Sequence, residues 1–77
     1  MKIYEVRDIS NEESYYPKVF FQTLEEAKAV LDGDTDLSGV CEMEDEYRVA
    51  AVYEHEIGKW DHEKGFNHKV YERKVDV

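Results

Sequence analysis

Seven acidic side chains and no basic one lie between Ala29 and Tyr47: Asp32, Asp34, Asp36, Glu42, Glu44, Asp45 and Glu46. Carboxylates at this density have two chemistries open to them. They can converge on a hard cation, or they can stand apart and project a negative field. Their spacing bears on both. Acids recur two apart at Asp32, Asp34 and Asp36, at Glu42, Glu44 and Glu46, at Glu54 and Glu56, and at Asp61 and Glu63. In an extended chain such neighbours project to one side about 6.6–6.8 Å apart, twice the strand rise. A nucleic-acid backbone also presents negative groups in a regular row. A solvated face that only keeps the chain dispersed is the plain alternative.

The cation chemistry is only half supported. Asp32-Gly33-Asp34-Thr35-Asp36 begins like an EF-hand loop, with carboxylates at its first, third and fifth positions. The sixth position is then Leu37 where glycine is needed, and the twelfth is Met43 where a bidentate glutamate is needed. Glu42 or Glu44 would have to supply the missing ligand, so no Ca²⁺ cofactor is expected. His55, His62 and His68 fit no zinc spacing, and Cys41 alone does not complete one. His55 and His68 could face each other across a hairpin. Catalytic signatures are absent: there is no G-x-S-x-G, no Cys–His motif and no phosphate-binding glycine loop. An acid–base pair of carboxylates would need a pocket that separates their pKa values. No such pocket is indicated, and an enzyme is not expected.

The field itself is uneven. Residues 1–28 carry six acids and four bases, residues 29–47 seven acids and no base, and residues 48–77 six of each, which gives the total of -9. Such a field repels nucleic acid and anionic membrane and attracts basic surfaces. Lys69, Arg73 and Lys74 are too small a cluster to reverse it. Seventy-seven residues suit a single domain over 1–77 with one small core. The ten aromatics argue against disorder. One cysteine rules out an internal disulfide framework and suits a reducing cytoplasm. No apolar run approaches the length of a membrane span.

The elements that must position the acids follow from patterning. Ile3 to Ile9 and Tyr15 to Phe21 read as strands, with Pro17 at a strand start or on an edge. Thr23-Leu24-Glu25-Glu26 is a capping box. Leu24, Ala27 and Leu31, with Val30 beside them, then form one apolar stripe on a helix over 24–32, and Gly33 is read as its left-handed stop. This stripe is expected to pack on Val6, Val49 and Ala51. Residues 33–46 read as a loop with at most a short strand or turn, long enough to expect a function of its own. Tyr47, Val49, Ala51 and Tyr53 alternate with Arg48, Ala50, Val52 and Glu54 in a third strand, which Ile57 and Trp60 extend. A turn over 61–65 leads to a last strand, with Phe66, His68 and Val70 on one face and Tyr71, Val75 and Val77 on the other. The order is β-β-α-β-β, an α+β domain with an antiparallel sheet and one covering helix.

In size, charge and its acidic run from Asp32 to Glu46, the chain resembles the phage-encoded acidic DNA-mimic inhibitors, among them the Bacillus-phage host-takeover type that inhibits the nucleoid protein HU. The class shares no motif, so no functional residue carries over one for one. The resemblance implies a cytoplasmic inhibitor of a basic DNA-binding host protein such as HU, with no direct contact to nucleic acid. On that reading Asp32, Asp34, Asp36, Glu42, Glu44, Asp45 and Glu46 replace phosphates, Glu54 and Glu56 support them, and Tyr47 adds apolar contact. The charge-balanced last strand implies that only one side mimics DNA. The competing expectation is an adaptor domain that binds a protein partner by strand addition at a sheet edge near Pro17 or Val77.

Overall fold

The computed structural model describes residues 1–10, 17–41, 47–58 and 68–76. The elements β1 (Lys2–Asp8), β2 (Pro17–Phe21), α1 (Leu24–Gly33), β3 (Tyr47–Glu56) and β4 (Lys69–Asp76) follow in chain order. The strands form one antiparallel sheet in the order β2-β1-β3-β4. β1 pairs with β2 and β3 with β4, both antiparallel. A third pairing joins β1 to β3 at the centre, from Lys2 opposite Glu56 to Asp8 opposite Ala50. The architecture is α+β, as the patterning predicts. Tyr15, Tyr16, Trp60, the turn over 61–65, Phe66 and Val77 lie outside the described residues. No helix among the described residues is long and apolar enough to cross a membrane.

Helix α1 starts where the capping box places it. The Glu26 amide donates to the Thr23 hydroxyl at 3.2 Å. The Glu26 carboxylate reaches back to that same hydroxyl at 2.9 Å. Ala27 and Leu31 are fully buried, and Leu24 and Val30 flank them. They pack on Val6, as expected, but against Ala50 and Val52 of β3 and not Val49 and Ala51. The strand period of two puts those pairs on opposite faces. Both sets are apolar, so the sequence offers no contrast to choose between them. The face away from α1 is buried too: Val49, Ala51 and Tyr53 are all in the interior.

Two boundaries differ from expectation. Gly33 does not adopt a left-handed conformation. It is the last helical residue, followed by an extended Asp34 at φ -103°. The helix is closed from a distance instead. Arg73 of β4 donates to the carbonyls of Leu31, Asp34 and Thr35. The last carbonyls of a helix lack internal partners and carry the negative end of its dipole, so a guanidinium there satisfies both needs. β3 stops at Glu56, and Ile57 does not extend it. Gly58 follows at φ 83°, a left-handed turn that ends the extended run.

Candidate functional site

The acidic segment begins inside the helix and continues as a folded turn. Asp32 sits in the last turn of α1 and accepts from the Tyr71 hydroxyl at 2.5 Å. Asp34 follows the helix, and its carboxylate accepts the Gly39 amide at 2.7 Å. Asp36 accepts the Ser38 amide at 3.0 Å. Short carboxylate side chains that bind amides two or more residues ahead are what make such turns. Hydrogen bonding to Ser38 holds the Asp36 carboxyl below the usual carboxylate range, helped by the charge of Arg48.

The turn is anchored from beneath. Leu37, Val40 and Cys41 are buried in the same cluster as Leu31 and Val52. The Val40 and Cys41 amides both donate to the Leu37 carbonyl, at 3.2 and 2.8 Å. Leu37 adopts φ 59°, which few non-glycine residues do. The left-handed backbone costs on the order of 1–2 kcal/mol. Burying the whole leucine side chain returns about 1.5–3 kcal/mol, which is enough to hold it there. Cys41 donates to the Val49 carbonyl at 3.6 Å, and burial pushes its thiol up to about 11. That thiol is not a nucleophile at neutral pH.

The carboxylates do not form the extended row that i, i+2 spacing suggests. Asp32 is helical, Asp34 caps and Asp36 lies in a turn, so the strand-like separation does not apply. Nor do all three converge on one point. Each points at a different donor, and among the described residues no group of three or more metal-ligating side chains gathers. Asp34 and Asp36 lie close enough to interact on one fixed turn, where Asp36 is 60% exposed. Arg48 reaches the same turn, donating to the Asp36 carbonyl at 3.0 Å, with its carboxylate 3.7 Å away. Two arginines from the charge-balanced third of the chain therefore sit against the acidic third.

Glu54 and Glu56 are elsewhere. Arg48 and Glu56 lie at opposite ends of β3, on the order of 25 Å apart at the strand rise. At the far end Glu54 meets Lys2 at 3.3 Å, the Tyr4 hydroxyl at 3.3 Å and His68 at 3.6 Å. Glu56 meets the N-terminal amine at 3.2 Å. These two acids are ion-paired within the chain and do not join the turn. Tyr47 is exposed at the near end of β3, with the Lys74 ammonium 4.7 Å above its ring. Glu42, Glu44, Asp45 and Glu46 lie outside the described residues.

A second polar cluster, which the sequence pattern does not single out, lies on β1 and β3. Glu5, only 3% exposed, lies on the sheet face away from α1. Arg7 grips it with two bonds of 2.7 Å, and His55 Nε2 donates to it at 2.7 Å. The Arg7 guanidinium also covers the Tyr53 ring at 4.0 Å. Burial alone would raise the Glu5 carboxyl. The bonds from Arg7 and His55 outweigh it and hold the group below its ordinary value. The i, i+2 placement of Glu5 and Arg7 on one strand face was a readable signal; the partnership with His55, fifty residues away, was not. His55 and His68 do not face each other, since His55 binds Glu5 and His68 binds Glu54. Comparison with protein-family models, curated proteins and solved structures returns no match, so the functional reading stands on this geometry and on the charge pattern.

Proposed function

We propose that this chain is a binding protein that offers fixed carboxylates to a basic, DNA-binding surface of a host protein and blocks DNA from it in the host cytoplasm. The nucleoid protein HU is the test case. The observation that carries the reading is the built turn: Asp32, Asp34 and Asp36 are hydrogen-bonded in place around a segment anchored by Leu37, Val40 and Cys41. Carboxylates held before binding lose little freedom on binding, which lowers the cost of association. Each carboxylate has spare acceptor sites beyond its internal bond. Glu42, Glu44, Asp45 and Glu46 extend the charge along the chain, and the -9 total steers a cationic partner inward. Glu54 and Glu56 are outside this interface. No reaction and no cofactor is required.

The test is a competition gel shift with HU and a short duplex. Displacement of DNA by the chain, with no shift of DNA by the chain alone, is the expected result. An unaltered HU–DNA band at excess chain removes the HU assignment. Failure to displace DNA from any protein in a low-salt bacterial lysate removes the mimic reading itself. The strand-addition reading draws on one observation: Val19 and Phe20 are exposed on β2, an edge strand among the described residues. Binding of that kind would persist at high salt and would not compete with DNA.

A further inference from the structure

Among the described residues, the two edge strands of the sheet, β2 and β4, are unlike. β2 is five residues long, contains Pro17 and carries a register shift opposite Val6 and Arg7. Short length, proline and a bulge are the devices that blunt an edge against pairing. β4 runs for eight residues, and its register irregularity is confined to its start, opposite Val52 and Tyr53.

Backbone directions along β4 follow from the ladder. Ile9 donates to the Val49 carbonyl, and Glu54 donates to the His68 carbonyl. Odd-numbered residues of β3 therefore turn their backbone groups to β1, and even-numbered ones turn theirs to β4. Arg48, Ala50 and Val52 face Val75, Arg73 and Tyr71. The N–H and C=O groups of Glu72, Lys74 and Asp76 thus point off the sheet, where no described strand meets them.

We infer that β4 pairs antiparallel with β4 of a second copy of this chain, in a two-fold register centred on Arg73. In that register Glu72 of each copy stands opposite Lys74 of the other, in hydrogen-bonded pairs. On the helix side, Tyr71 stands opposite Val75. Opposite charges and apolar pairs at facing positions are the unit of strand pairing. The like-charged pair at the axis is Arg73 with itself, and each guanidinium is taken up by the helix-end carbonyls of its own copy. Sliding by two residues one way sets Glu72 against Glu72. Sliding the other way sets Lys74 against Lys74 and Glu72 against Asp76. The charge pattern therefore selects one register, and the two four-stranded sheets become one continuous sheet. The inference does not rest on the mimic reading, because its selecting charges are Glu72 and Lys74, although Tyr71 and Arg73 of the same strand hold the acidic turn.

Repulsion between two chains of net charge -9 opposes the pairing, so it is tested at about 0.15 M salt, where the Debye length is about 8 Å. Sedimentation equilibrium should show a wild-type monomer–dimer equilibrium. E72K places lysine against Lys74, and K74E places glutamate against Glu72, so each variant alone should be monomeric. Mixed together they should associate, since every facing pair is then opposite in charge. The double swap E72K/K74E should dimerise like wild type. Both side chains are exposed, so the variants keep their fold, which circular dichroism verifies. In the dimer the Glu72 and Lys74 amides should gain protection from hydrogen exchange. A wild type that stays monomeric up to about 1 mM overturns the inference. So does self-association that either single variant leaves unchanged, or a mixture that fails to associate.

Discussion

Glu5 and Asp36 are both carboxylates held below their ordinary range, in opposite surroundings. Glu5 is sealed on the sheet between Arg7 and His55, and its charge is consumed within the fold. Asp36 stands on an exposed turn and is held chiefly by Ser38. The first carboxylate has become structure. The second keeps most of its field for an outside partner. Net charge alone does not separate the two roles, because the sequence counts both as one acid. What separates them is the exclusion of water: the Glu5 side chain is 4% exposed beneath Arg7, whereas Asp36 stays 60% exposed although Arg48 lies 3.7 Å away.

The contrast predicts which substitutions will be felt. The core should matter most: Leu31→Ala should cost about 2–5 kcal/mol in urea denaturation, since Leu31 is fully buried between α1 and the sheet. Arg7→Ala should follow at about 3 kcal/mol, the lower end for orphaning a buried charge because His55 still donates to Glu5. Asp36→Asn keeps an acceptor for Ser38 and should stay within about 0.5 kcal/mol of wild type. If Asp36→Asn destabilises as much as Arg7→Ala, the distinction between the two regions fails.

A smaller effect should appear on titration. The folded Glu5 carboxyl ionises below its unfolded value, so its ionised form favours folding. That contribution is complete above the ordinary value of 4.5 and is lost as pH falls through the lower folded value. Melting temperature followed into acid should drop less steeply for Glu5→Gln than for wild type. Parallel curves would show that Glu5 is not linked to folding.

Much of the fold could be read in advance because its signals are local. The strand over Ile3–Ile9, the capping box at Thr23 and the stripe of Leu24, Ala27 and Leu31 each lie within a few residues of one another. What could not be read depends on distant residues. The helix stop is made by Arg73, some forty residues on, while the local candidate Gly33 stays helical. Leu37, Val40 and Cys41 enter the core from a segment with no helix or strand period, so nothing marked them as apolar anchors. The acidic concentration at Asp32, Asp34 and Asp36 was plain. That Arg48 and Arg73 would return to that turn, and that Glu54 and Glu56 would pair off at the other end of β3, required the sheet register.

The central claim is that the acidic turn binds by collective charge. It is tested most directly by the salt dependence of affinity for HU, measured for wild type and for a variant with Asp32, Asp34 and Asp36 all changed to asparagine. Asparagine keeps the oxygen acceptors of the turn, so the fold is retained while three of the segment's seven negative charges are removed. Each exposed ion pair contributes only about 0–1 kcal/mol, so the loss must be summed over the set. Wild-type affinity should fall steeply as salt rises, and the triple variant should bind more weakly with a shallower slope. Equal slopes for the two proteins, or an affinity indifferent to salt, would contradict the account.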